Sequence, residues 1–403
     1  MLHALTCRES GLALPETISR EQRSSRAQMM ELSKYRDFEV RHRGSVVSLD
    51  LDAVESRFLL SGSSDGAFAI YDLHQGHDTP AYTYKPICGL SKYQRFIHKN
   101  SISTVQWYPL DTGMFTTTGM DGVLKIWDTN EMRPADQYSF TGVIYCHAMS
   151  AASMTHTLLA VATAKCHCVL VDLRTGAKTH TLRGHKDAVM SCQWSPKDEF
   201  ILATGGSDSK LMLWDVRSAA GSLMVFDQYN GDTTANPESV NTAHNGLING
   251  MRFLSNGLHL VSVGTDDHMR LWNVATGKNM LVNYGKLENF SLKNIQIACS
   301  FNTNPELVYV PVNSDVCVYD IFNGDLLVTL RGHYNTVNCT VFNPDTNDVY
   351  SGANDRNILL FSGNVETESA FCKHLDGDDR TENNTSATIP AAAADAWSSD
   401  EDS

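Results

Sequence analysis

The sequence predicts an all-β fold: a closed seven-bladed β-propeller with a short N-terminal helical extension and a disordered acidic C-terminal tail. Three observations carry this. Short alternating apolar runs bounded by Gly, Asp and Asn recur along the chain, the pattern of antiparallel strands. A set of His, Ser/Thr, Asp and an aromatic residue recurs at near-constant spacing in five segments, and two more segments keep the strand rhythm without that set. Residues 44–363 then divide into seven units of about 46 residues, near the period of four-stranded propeller blades.

Residues 1–34 form the extension. Leu2, Leu5, Leu12, Leu14 and Ile18 make a sparse apolar set broken by Gly11 and Pro15. This predicts a short helix, a turn, and a second helix from Glu16 to Ser33 with Thr17 as its cap. The apolar face is too narrow for a core element, so the segment either frays or docks its Leu side chains in a partner's groove.

The propeller spans residues 35–363. Its first repeat aligns His42, Ser61, Asp65 and Tyr71-Asp72. The second aligns His98, Thr117, Asp121 and Trp127-Asp128. The fourth aligns His185, Thr204, Asp208 and Trp214-Asp215. The fifth aligns His244, Ser262, Asp266 and Trp272-Asn273, and the seventh His333, Ser351, Asp355 and Phe361. In all five, His to Asp is 22 or 23 residues, Asp to aromatic is six, and the hydroxyl lies four before the Asp. The third and sixth repeats, 158–173 and 307–321, are degenerate, with Val161, Lys165, Val171 and Tyr309, Asn313, Tyr319 at these positions. The Asp can take the His N–H, the His can meet the hydroxyl, and the hydroxyl can reach the indole N–H. A buried polar chain is favourable only when every member is satisfied, which explains why the third repeat loses all members together. Fivefold recurrence on strand periodicity argues against catalytic triads. An open propeller would leave an exposed edge strand. Phe38–Arg41 sits where a fourth strand would precede the first repeat, so it is expected to complete the seventh blade.

The formal charge is −14, unevenly spread. Residues 1–43 hold eight basic and six acidic side chains, a net of +2. The tail, 364–403, sets two basic residues against ten carboxylates, a net of −8, and residues 44–363 also carry −8. An acidic propeller offers no groove for phosphate backbones, although Lys286 and Lys293 make a local basic patch. In the tail, Ser398 and Ser399 each have a carboxylate three residues on, spacing that suits an acidophilic kinase. No apolar stretch is long enough to span a membrane and no leader is expected, so the reading is cytosolic or nuclear. Ten cysteines fall mostly in strand-like runs and read as buried free thiols. In Cys166-His167-Cys168, alternation puts both thiols on one strand face and the His on the other, which suits zinc poorly. No metal or cofactor is expected.

The His and Asp of each repeat lie at one face, the top, and the Trp-Asp end of the third strand points to the bottom. Three long top connections stand out. Residues 87–97 carry Tyr93, Arg95 and Phe96, residues 228–243 carry Tyr229, and residues 284–293 carry Lys286, Phe290 and Lys293. Aromatic and basic residues on such loops are either anchors for a protein partner or solvated decoration. On the bottom, Arg217 follows Trp214-Asp215-Val216, where its fork meets either a partner's carboxylate or a local one.

Specific strings extend beyond the repeats: Val105–Pro109, Asp111–Thr116, Asn241–Gly246, Val263–Asp266, Met269–Asn273, Leu281–Lys286 and Asp395–Ser399. On these the chain closely resembles the Cockayne syndrome A family of WD40 substrate receptors of cullin-RING ubiquitin ligases. The resemblance implies a nuclear, non-catalytic receptor acting in transcription-coupled nucleotide excision repair. It implies an adaptor (damage-specific DNA-binding protein one), a cullin scaffold and a RING subunit. It further implies the Cockayne syndrome B ATPase, the UV-stimulated scaffold protein and stalled RNA polymerase II as partners, with no direct nucleic acid and no membrane. By position, adaptor contacts fall on Leu2, Leu5, Arg8, Gly11 and Leu12, and on Trp214, Asp215 and Arg217. The competing classes are a general scaffold propeller without a ligase role and, more weakly, an enzyme or DNA binder.

Overall fold

The computed structural model describes residues 14–75, 81–90, 96–218, 221–232 and 241–363. Within them, seven small antiparallel sheets follow chain order, six of four strands and one of three. Their first strands are Val46–Leu51, Ile102–Trp107, Ile144–Met149, Val189–Trp194, Ile248–Phe253, Ala298–Cys299 and Val337–Phe342. These strands line a central cavity. The seven blades are those the repeats predict, including the two degenerate ones, blades three and six.

Burial follows from position in the ring. Middle strands touch neighbouring blades on both faces, so Leu158–Thr163 and Leu211–Asp215 are buried almost throughout. The outermost strand Ala177–Arg183 faces solvent and is polar. The core is therefore a series of packets between blades. Between blades one and two, Phe68 meets Phe115 and Trp127 edge-on, with centroids at 5.0 and 4.8 Å. Between blades three and four, Cys146, Cys192 and Trp194 pack with Trp214. Six first strands carry a register shift one or two residues in, as at Val46/Ser48 and Val189/Ser191. Such bulges increase local twist and let flat sheets wrap a common axis.

Ring closure differs from expectation. Glu31–Leu32 is the fourth strand of blade seven, antiparallel to Ile358–Ser362, and the Ser33 N–H donates to the Leu360 carbonyl at 2.9 Å. Arg36–Phe38 pairs instead in parallel with Tyr82–Tyr84. Glu31–Leu32 already occupies the blade seven edge, and Phe38 is buried between blades one and seven against Tyr71, Tyr84 and Tyr350.

Helix α1 runs Pro15–Gln28, ending five residues before the expected Ser33 because the chain must extend to reach that edge. Its N-cap is Leu14, and Thr17 is not the cap: its hydroxyl donates back to the Leu14 carbonyl at 2.7 Å. The narrow apolar face does serve a core role. Ala27 at the end of α1 and Met30 just beyond it are buried with Ala298, Leu307, Tyr309 and Phe361. The Ser24 hydroxyl accepts the Asn304 N–H at 2.7 Å and donates to the Arg20 carbonyl. The helix thus covers the junction of the sixth and seventh blades.

The thiols also need one revision. Cys146, Cys168, Cys192, Cys317 and Cys339 are buried, but Cys299 is only partly so and Cys166 is exposed. Cys166 lies in the bend before the strand His167–Asp172, so alternation does not apply and the two thiols of that cluster point to different environments.

Candidate interaction faces

The polar sets assemble in graded form. In blade two, His98 Nδ1 donates to Asp121 at 3.1 Å, while Thr117 Oγ1 bonds His98 Nε2 and accepts the Trp127 indole N–H, both at 2.8 Å. Blade four repeats this through His185, Asp208, Thr204 and Trp214 at 2.8 to 2.9 Å. Blade five does so through His244, Asp266, Ser262 and Trp272 at 2.7 to 2.8 Å. Blade seven keeps His333, Asp355 and Ser351, and Phe361 replaces the indole. Blade one is broken. His42 meets Ser61 at 2.7 Å, but its Nδ1 is buried without a partner. Asp65 accepts the N–H groups of Arg43 and Ala67 and the Ser63 hydroxyl instead.

The residue two before the Asp explains part of the difference. Two residues before the Asp, the intact sets of blades two, four and five have Gly119, Gly206 and Gly264. A Cβ at these would lie 2.5 to 2.6 Å from the His Nδ1 and 2.6 to 2.7 Å from the Asp oxygen. Blade seven has Ala353 there and still closes its His–Asp bond, so a Cβ alone does not break the set. Blade one has Ser63, whose hydroxyl captures Asp65. Burial pushes Asp266 up, but His244, the Asn245 N–H and Arg270 outweigh it and hold the carboxyl far below its usual range. Burial lowers the pKa of His244 and His333, partly offset by the Asp each ring bonds. The hydroxyls of Ser61, Thr117, Thr204, Ser262 and Ser351 are wholly buried and committed to their rings, so no substrate reaches them.

At the top, Tyr93 and Arg95 lie outside the described residues. The stretch 87–97 is not all loop: Pro86–Leu90 is the fourth strand of blade one, paired with Phe68–Asp72. Phe96 is partly exposed, and its carbonyl accepts the buried Lys125 ammonium at 2.6 Å. Tyr229 is half-buried, beside a network in which Arg270 bonds Asp266 at 2.8 Å and Gln228 at 2.9 Å. Lys286 is paired with Asp267 at 3.3 Å, and Lys293 is exposed. Between them Phe290 is 75% exposed and Leu292 71%. That loop is pinned from below by Asn289, buried against Asn249 and bonded to the Gly264 carbonyl.

At the bottom, Arg217 forms a fork with Asp215, 2.9 Å from Nε and 2.7 Å from Nη2, and lies over the Phe200 ring. The local ion pair therefore forms, and the guanidinium remains exposed. Blade one has the same device in Arg57 and Asp72, at 2.9 and 2.8 Å. The turns between first and second strands at this end expose Val54, Leu110, Met154, Leu258 and Phe301. Their neighbours Ala53, Pro109, Ala151, Ser255 and Pro344 rim the central cavity. Sequence reading missed this apolar rim; the available signal was a large apolar residue inside each of five short turns. Leu2, Leu5, Arg8, Gly11 and Leu12 lie outside the described residues, as do Ser398 and Ser399.

Residues 91–128, 176–215, 236–273 and 324–362 match the WD40 family model, described as WD domain, G-beta repeat. These are blades two, four, five and seven, the four in which the His–Asp bond forms. The ring of blades and these repeats make the protein a WD40 propeller protein. WD repeat-containing protein ATCSA-1 of Arabidopsis thaliana is 33% identical over 438 aligned positions, covering 91% of this chain and 97% of that protein. The chain belongs to the family of that protein. Radiation-sensitive protein 28 of Saccharomyces cerevisiae is 28% identical over 44% of this chain and 39% of its own length. The guanine nucleotide-binding protein subunit beta of Oryza sativa subsp. japonica is 21% identical over 80% of this chain and 82% of its own.

Proposed function

We propose that this chain is the non-catalytic substrate-recognition subunit of a cullin-RING ubiquitin ligase, acting in the nucleus in transcription-coupled excision repair. The adaptor docks on the N-terminal segment and the propeller bottom. Repair and stalled-transcription partners meet the top, with Phe96, Tyr229, Lys286 and Lys293 among the contacts. Family membership along nearly the whole chain supports the receptor role, and a relative named for radiation sensitivity supports the damage context. The observation that carries the docking side is the bottom face, which bears five exposed apolar turn residues together with the exposed Arg217. Large apolar groups with a forked Arg at their edge are the composition of a binding hot spot. RING and conjugating partners supply the transfer chemistry, consistent with hydroxyls that are all buried and occupied.

The test is recovery of the adaptor by the full-length chain, by a chain lacking residues 1–13, which leaves α1 intact, and by the pair Met154→Asp, Arg217→Ala. Each change should weaken adaptor binding by about tenfold or more, the effect of about 1.4 kcal/mol. Unchanged affinity in all of them removes the docking claim. Intact adaptor binding with normal recovery of transcription after UV in cells lacking the protein favours a general scaffold instead.

A further inference from the structure

The cavity enclosed by the first strands measures about 580 Å³, a size typical of small-molecule sites. Most of its polar wall is committed to holding blades together. Gln106 Oε1 accepts the Met149 N–H at 2.8 Å, Gln193 Oε1 accepts the Phe253 N–H at 2.7 Å, and Gln296 Oε1 accepts the Leu49 N–H at 3.1 Å. Asp52 is taken up by the backbone N–H groups of Val54, Glu55, Arg57 and Phe58, and Lys197 lies at the rim beyond the end of its strand. On the first strands themselves two charged side chains stand apart. Arg252, on the first strand of blade five, lines the cavity between buried Met251 and Phe253. It is exposed and makes no hydrogen bond or close ion pair among the described residues. Asp50, on the first strand of blade one, accepts the Trp107 N–H at 2.7 Å and has no cation within ion-pair distance among the described residues.

Burial pushes Asp50 up to about 7, and the positive charge of Arg252 offsets this only in part. Ionised Asp50 and Arg252 share one cavity without meeting, because blades one and five lie apart in the ring and inter-blade bonds hold their strands in place, and an ammonium on Asp50 favours its ionised form. A lone cation placed on Asp50 would be repelled by Arg252. A lone anion on Arg252 would be repelled by Asp50. A molecule bearing both charges, separated by a short spacer, satisfies both walls at once and adds the hydrogen bonds that make a desolvated ion pair favourable. We propose that the central cavity binds a small zwitterion of the aminocarboxylate class, its ammonium on Asp50 and its carboxylate on Arg252. Entry is from the bottom, where Ala53, Pro109, Pro196 and Phe301 rim the opening. This inference does not depend on the ligase reading.

The test is titration calorimetry of the full chain with ω-aminocarboxylates of increasing length, from glycine to 6-aminohexanoate, against methylammonium and acetate as single-charge probes. Saturable binding with an optimum spacer length is expected, and about tenfold or weaker binding for both single-charge probes. Asp50→Asn keeps an oxygen for the Trp107 N–H, and Arg252→Gln keeps the strand, so both should melt like the parent while losing at least about tenfold in affinity. Absence of saturable heat at every length overturns the proposal. So does binding that survives both variants, or a single-charge probe that binds as well as the best zwitterion.

Discussion

Thr204 Oγ1 serves two partners at once, the His185 ring and the Trp214 indole, each at 2.8 Å. Thr204→Val keeps the shape and leaves both partners buried and unpaired, so it should cost about 2–4 kcal/mol at one or two orphaned groups. Ser61→Ala in blade one should cost less, since that set is already broken and Tyr71 bonds the Glu39 carbonyl instead. Comparing the two by chemical unfolding decides whether the chain of bonds acts as a unit. The rings also set an acid limit. Burial lowers His42 to about 4 and His147 to about 3, from the ordinary 6.5. Between those values the unfolded chain binds protons that the folded chain refuses, so their contribution is complete above pH about 6.5 and is lost as pH falls toward about 4. The depressed Asp121, Asp208 and Asp266 add loss in the same direction at lower pH. Asp50, raised to about 7, works the other way as pH falls, but it is one group against two rings. The melting temperature should fall steadily below pH about 6.5, and a flat profile down to pH about 4.5 contradicts this. The sets were legible from spacing alone. His147 was not: its ring is held by Thr104, Thr116 and Thr118 of blade two, a cluster that no single repeat contains.

Among elements, helix α1 and the strand Glu31–Leu32 show where local preference gives way. Residues 16–33 read as one helix by composition, yet the last turn unwinds so that Leu32 can pair with Phe361. The gain is a closed ring in place of two open edges. Met30→Asp would bury an unpaired carboxylate at that junction and should cost about 3 kcal/mol or more, with faster proteolysis near residue 30. Gln22→Glu, on the exposed face of α1, should leave the melting temperature within about 1 °C, as surface changes do. Equal melting of both variants would show that the helix does not contribute to closure. The strands themselves were legible because their apolar alternation is local. The fourth strand Pro86–Leu90 was not, because its Cys88-Gly89 has little strand character by itself and is placed only by pairing with Ile70 and Ala69.

Across the whole molecule, stability rests on bonds from one blade's first strand to the next. Asp50 to Trp107, Gln106 to Met149 and Gln193 to Phe253 each tie a side chain to a backbone N–H in the following blade. Gln193→Ala should orphan the Phe253 N–H and lower stability by about 1–3 kcal/mol, measured by thermal melting against Gln137→Ala on an exposed outer strand. Equal melting of the two would contradict the role of these ties. By itself the sequence determined seven blades, the identity of each His, hydroxyl, Asp and aromatic set, and the weakness of blades three and six, because all of these are repeats of contacts within about 40 residues. Only the tertiary structure decided which strand closes the ring, where α1 rests, which turns gather into an apolar rim, and that Asp50 and Arg252 face one cavity unpaired. Those depend on where separate blades are brought when the ring closes, and no pattern within a single repeat encodes that distance.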